Sequence, residues 1–263
     1  MSPHIHDEPA TPMRRAPADW RSLFLDPAPA RVDDRLRGGI DNYDVDRKLL
    51  AGLGAAAIGE LSDAVRASDR HTASVAEQAA RQGIRQALVL GAGLPIVRSA
   101  CPEVHEVFAR HHGWDAGVVY VTDDSLVWGQ LRMMSDVPPV CADIVLGDSR
   151  HIETLLSSPH ISPTFLDPGL PIVVFLPGTL AWMSDRQARH VIATLLGWLP
   201  PGSVLTLTHP ITSQATRALS LRWESAGLHW QPRTHDAVDA LFCAAGFAGT
   251  VVASGLATAT HTV

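Results

Sequence analysis

Only three cysteines occur in 263 residues, Cys101, Cys141 and Cys243. They are far apart and form no C-x-x-C pair, which excludes a disulfide framework and a zinc knuckle. A reducing compartment, the cytoplasm, is the expected location. Positive charge is also scarce: 21 Lys+Arg stand against 27 Asp+Glu, a formal charge of −6, so no surface suited to nucleic acid is implied. The N-terminal residues have no apolar run of signal-peptide length. The longest uncharged stretch, 240–263, is interrupted by Gly246, Gly249 and Gly255, which excludes a membrane span and suggests terminal strands instead.

Several catalytic signatures are missing as well. No G-x-x-x-x-G-K-[ST] loop and no G-x-S-x-G elbow occurs. His105-Glu106 does not continue to a second histidine, because Ala109 stands there, and no metal site is expected. A dinucleotide fingerprint after Gly91 and Gly93 would need glycine where Ile96 is found. The next acidic candidate, Asp123, also lies beyond the usual spacing of roughly 20 residues.

What remains is globular and rather apolar, with 46% hydrophobic and 18% charged residues. Residues 1–30 are rich in proline and read as an arm, because proline cannot continue a helix. From 31 to 82, Leu49, Leu50, Leu53, Ala57, Ile58 and Leu61, then Val75, Ala79 and Ala80, recur at helical spacing. Gly54 and the Ser68-Asp69 pair are read as breaks between two or three helices.

Residues 83–263 change period. Ala87–Leu90, Val118–Val121, Ile172–Leu176 and Val204–Leu207 are short apolar runs, as expected of strands covered on both faces of a parallel sheet, and Val140–Leu146 is a further candidate strand, the third in chain order. Helices are predicted over His105–His112 and Asp185–Leu199. The reading is a doubly wound, Rossmann-like α/β sheet with an N-terminal helical cap and no internal repeat.

In such a fold the ligand sits beyond the carboxyl ends of the strands. The first strand runs into Gly91-Ala92-Gly93-Leu94-Pro95, where glycine allows backbone to approach a ligand, or serves only as a tight corner. The second ends at Thr122-Asp123-Asp124, where a carboxylate can accept from a ribose diol. The third ends at Gly147-Asp148-Ser149-Arg150, where Asp148 can accept from an adenine amine. Each aspartate serves equally as a helix N-cap or turn residue. Trp128, Trp182 and Trp223 are core anchors or walls of an aromatic pocket.

These residues resemble a bacterial S-adenosyl methyltransferase family first catalogued as a domain of unknown function, within the class I methyltransferases. Residues 37–47, R-G-G-I-D-N-Y-D-V-D-R, are similar to its L-G-G-K-D-N-[FY]-x-x-D-R segment. Gly83-Ile84-Arg85-Gln86 with Gly91–Pro95 resembles G-I-R-Q-F-L-D-I-G-T-G-L-P-T, and 118–124 resembles V-V-Y-V-D-N-D. The resemblance runs from about Ala30 to about Phe247. It implies a seven-stranded sheet with its last strand antiparallel, binding S-adenosylmethionine, with the leader helices closing over the cofactor. On it, Gly91, Ala92 and Gly93 pass the methionine part, and Thr122 and Asp123 mark the ribose end. Asp148 and Ser149 mark the adenine end, and Leu176 begins the loop facing the methyl group.

Among the departures from the family, Val89 and Thr122 replace aspartates, and Ile40 replaces lysine. Each lost charge-assisted hydrogen bond removes about 1.5 to 3 kcal/mol. Asp41, Asn42, Tyr43 and Arg47 are expected at the entrance or lid, although Asp44 and Arg47 also suit a solvated helical ion pair. His209, just past the Val204–Leu207 run, is the candidate general base for a protonated acceptor, or a strand-end histidine bonded to backbone.

Three functions follow: methyl transfer to a small molecule, in natural-product metabolism for example; a cyclase or lyase on a repurposed scaffold; or a non-catalytic binding protein. Apolar surface on the leader helices is the expected place for a homodimer contact.

Overall fold

The computed structural model describes residues 22–95, 101–135, 142–161 and 165–263. The first two-thirds of the expected arm lies outside these residues. Its end is helical: α1 spans Ser22–Leu25 and α2 spans Pro29–Arg37. Pro29 occupies the first turn of α2, where its missing N–H and fixed φ are no disadvantage.

Gly38, at φ +90°, ends α2 in the left-handed conformation that glycine adopts most readily. Helices α3 (Asp44–Ala51) and α4 (Ala55–Arg81) follow. The expected break at Ser68-Asp69 is absent. Both side chains reach sideways instead: Ser68 Oγ lies 2.7 Å from Thr208 Oγ1, and Asp69 binds Arg37. Phe24, Leu25 and Ile40 stand exposed on this leader.

The strands are β1 (Gln86–Leu90), β2 (Gly117–Thr122), β3 (Ala142–Leu146), β4 (Ile172–Pro177), β5 (Val204–Pro210), β6 (Val251–Ala253) and β7 (Leu256–Thr262). Between and after them lie α5 (Val104–His112), α6 (Ser125–Ser135), α7 (Ile152–Leu156), α8 (Asp185–Trp198), α9 (Gln214–Ser225) and α10 (His235–Cys243). They form one sheet in the order β3-β2-β1-β4-β5-β7-β6. The first five strands are parallel, and β7 runs antiparallel to both neighbours. The doubly wound sheet expected from the apolar runs is thus present. The third strand was expected from Val140; positions 140 and 141 lie outside the described residues.

The stretch 240–263 is strand only from Val251. Its first residues close α10, which buries Val238, Leu241 and Phe242 along one helical face.

Every residue of β1 is buried. Leu88 and Leu90 face a core shared with α8 and α10, while Ala87 and Val89 face one shared with α4 and α5. The second half of α4 therefore belongs to the sheet's own core, across the turn at 82–83. Its first half packs with Val32, Leu36, Leu49 and Leu50 against Leu219 and Trp223 of α9. Trp182 stacks edge-on against Trp223 at 5.4 Å, and Trp128 donates to Ile144 O. Trp223 is therefore a core anchor, and Trp182 and Trp128 are packed against the core.

Candidate active site

The helices that follow β1 and β4 pack on opposite faces of the sheet, which opens a crevice beyond the ends of these adjacent strands. The turn after β1 is lashed to β2: the N–H groups of Gly91 and Ala92 both donate to Val121 O at 2.9 Å. Gly91 has φ +77°, and a Cβ there would stand 2.5 Å from Thr179 Oγ1. That hydroxyl is fixed by its bond to Leu90 O at 2.7 Å. Conformation and packing both require glycine here. The turn at the end of β3 is tied in the same way, Gly147 N–H donating to Thr122 O at 2.8 Å.

A cavity of about 80 Å³ lies over the turn. Ala92, Gly93 and Leu94 form one side, and Pro177 closes it from β4. Val89, Val104 and Leu131 make it partly apolar. The remaining wall comes from the leader: Arg37 at the end of α2, and Asp69 and Thr72 of α4.

Arg37 and Asp69 were not among the site residues expected from the sequence. The Arg37 Nε and Nη2 groups donate to Asp69 Oδ2 and Oδ1 at 2.9 and 3.0 Å. Its Nη1 is buried and has no hydrogen-bond partner among the described residues. Burial works against the guanidinium charge, but Asp69 and then Asp33 hold it protonated more firmly than usual. Burial pushes the Asp33 carboxyl up to about 6, Arg37 opposing and Asp69 adding to the rise. Tyr120 and Cys101 also line the cavity. His105 donates its backbone N–H to the Tyr120 hydroxyl at 3.1 Å, and burial lowers the pKa of its ring. The available signals were Arg37 immediately before Gly38-Gly39, and Asp69 with Thr72 one helical turn apart. Neither shows that the two helices meet.

Of the predicted site residues, Ala92 and Gly93 line the cavity. Asp123 stands exposed at the end of β2. Its carboxyl is pushed up by the crowding of surrounding protein and then by the nearby negative charge of Asp148, so these two carboxylates share one neighbourhood. Burial opposes ionisation of Asp148, but Arg150 outweighs it through hydrogen bonds from its backbone and guanidinium, both at 2.9 Å. Ser149 is buried beside it.

Three expectations are corrected. Thr122 is buried, and its Oγ1 accepts from the Asp124 N–H at the start of α6; it is a turn residue. Leu176 points into the core with Leu90 and Leu207. His209 is fully buried, with Nδ1 2.9 Å from Pro210 O and Nε2 2.6 Å from Arg233 Nη1. The carbonyl fixes the proton on Nδ1 and leaves Nε2 to accept from the guanidinium. Burial, then the Arg233 charge, lowers its pKa to about 3. A ring enclosed in this way cannot serve an acceptor as general base.

The leader motif is a knot and contributes none of its four predicted lid residues to the cavity wall. Asn42 donates to Asp34 Oδ2 at 2.8 Å and to Gly39 O at 3.0 Å. Arg47 donates to Asn42 O and Oδ1. Tyr43 caps α3 and lies over Arg31, 4.7 Å from guanidinium carbon to ring centre. Asp41 is half-buried beside them. Asp44 pairs with Lys48 instead of Arg47.

No group of His, Cys, Asp and Glu among the described residues is arranged to hold a metal ion, and none of their helices is long and apolar enough to cross a membrane. A crystal structure of a proposed methyltransferase from Thermobifida fusca YX is 26% identical, over 91% of this chain and 96% of that one, with a TM-score of 0.77. A DUF574 family protein from Streptomyces avermitilis MA-4680 has the same fold, at 21% identity over 90% and 97% of the two chains and a TM-score of 0.79. No curated protein matches the chain. The model of one family, S-adenosyl methyltransferase, matches residues 24–261. Fold, strand-end turns and this match agree that the chain belongs to the S-adenosyl methyltransferase family, enzymes whose cofactor is S-adenosylmethionine.

Proposed function

We propose that this chain transfers the cofactor's methyl group to a small-molecule acceptor in the crevice beyond β1 and β4. The observation that carries this reading is the cavity over the Gly91–Gly93 turn, walled by leader residues of both charges. The site fits the cofactor. Glycine lets backbone approach it, Arg37 offers a donor with no partner among the described residues, and carboxylates stand in the cavity wall and beyond the ends of β2 and β3. When bound, S-adenosylmethionine supplies an electrophilic methyl group on a sulfonium.

The protein's work is mainly alignment, which can supply roughly 7 to 11 kcal/mol of the barrier. Asp123 would accept from the ribose hydroxyls, and the Asp148–Ser149 turn would flank the adenine. Val89, Leu94, Val104 and Leu131 would exclude water. Narrow walls and the net charge of −6 favour a small acceptor over a nucleic acid.

The test is calorimetric titration with S-adenosylhomocysteine, followed by mass-spectrometric detection of methylated product and S-adenosylhomocysteine across a panel of small acceptors. No heat at millimolar ligand would sink the proposal. Asp123→Ala should weaken S-adenosylhomocysteine by about tenfold. Unchanged affinity would place the ribose elsewhere.

A further inference from the structure

Resting on the cofactor reading above, we propose that Arg37 binds the α-carboxylate of the cofactor's amino-acid end, and that Asp69 and Glu103 on the same wall face its ammonium. Arginine presents five N–H donors in a planar fork. In Arg37 the edge formed by Nε and Nη2 is taken by Asp69 at 2.9 and 3.0 Å. Nη1 lies out of solvent with no partner among the described residues. Native proteins leave few buried donors in this state, and Arg37 lines the cavity. A small anion entering there would complete it.

The neighbouring backbone leaves room. A Cβ built on Gly93 would stand 3.4 Å from Nη1, so any larger side chain would crowd the atom. The charges suit this ligand. One guanidinium and the carboxylates of Asp69 and Glu103 line a single cavity, with Asp33 close by. A zwitterion matches an arrangement that offers both signs, and the sulfonium's extra positive charge matches the excess of carboxylate. Because the Arg37–Asp69 pair joins α2 to α4, the same contact would hold the leader down over the bound cofactor.

The experiment compares two ligands by calorimetry. S-adenosylhomocysteine carries the amino-acid end, and 5′-methylthioadenosine keeps the nucleoside but lacks that end. Arg37→Met should lower affinity for the first by about ten- to a hundredfold and leave the second within about threefold. Arg37→Lys keeps the charge and the tie to Asp69, and should lose less. If the Met variant does not fold, as judged by thermal melting, the Lys variant carries the test with the same selectivity. Equal losses for both ligands, or none for either, would overturn the proposal. Wild-type protein that binds the two ligands equally well would overturn it while leaving the cofactor site standing. Wild-type protein that binds neither would remove both.

Discussion

Asp46→Ala should lower the free energy of unfolding by about 3 to 5 kcal/mol, the range for breaking a buried ion pair from one side. Asp46 is fully buried and accepts from Arg31 Nε at 2.7 Å, Tyr43 N–H at 2.8 Å and Ala28 N–H at 3.0 Å. Alanine would leave a guanidinium only 2% exposed without its counter-charge, and two amides without an acceptor. Arg31 could not swing into water cheaply, because Nη2 is held by Asp26 O at 2.6 Å and the group lies under Tyr43. Against a total stability of about 5 to 15 kcal/mol, the variant becomes marginal. Urea denaturation at pH 7 measures the loss, and Arg31→Met combined with Asp46→Leu should recover most of it, since a matched apolar pair replaces a buried ionic one well. A loss below about 1 kcal/mol for Asp46→Ala would show that water reaches Arg31, and that the leader is not held by this pair. The consequence reaches the active site because this knot sets the path of α2, whose last residue is Arg37.

Strands β1, β2, β4 and β5 were legible because burial on both faces leaves a mostly apolar run, and nothing distant is needed to recognise one. The leader knot was legible as a motif but not as a structure. Arg31, Asp34 and Asp46 are charged, and charged side chains are placed outside unless their partners are known. Here the partners lie across a turn: Asp34 holds Asn42 and fills the space that only Gly39 leaves open. The Arg37–Asp69 pair spans two helices, and local spacing carries no trace of it. Ser68-Asp69 misled for the same reason, because residues that cap helices also bond sideways when another element is near. Leu176 and His209 were placed at the correct end of the sheet but on the wrong face. The two-residue period could have corrected both: His209 follows Leu205 and Leu207 into the core, and Leu176 follows Val174. Proximity to the strand ends is therefore insufficient without the parity of the position.

That parity gives His209 a different role, in acid stability. Its folded pKa is about 3, against an unperturbed value of about 6.5. Above 6.5 the ring is neutral in both states and stability is at its full value. As pH falls below 6.5 the unfolded chain takes up a proton that the folded protein refuses, and about 1.4 kcal/mol is lost per unit until pH reaches about 3. The loss is about 2 kcal/mol at pH 5. Asp33 acts in the opposite direction: with its folded pKa raised to about 6, its ionisation opposes folding at neutral pH, and that strain is relieved as pH falls. The difference between wild type and a variant is therefore the cleaner observable. His209→Gln keeps an acceptor for Arg233 and removes the titration. In urea unfolding at pH 7, 6 and 5, the variant should gain on wild type by about 2 kcal/mol across the range. Since His209 does not line the cavity, the same variant should retain methyl transfer and the wild-type pH–rate profile. Turnover abolished in a folded variant, with no change in acid stability, would return the ring to the role of base.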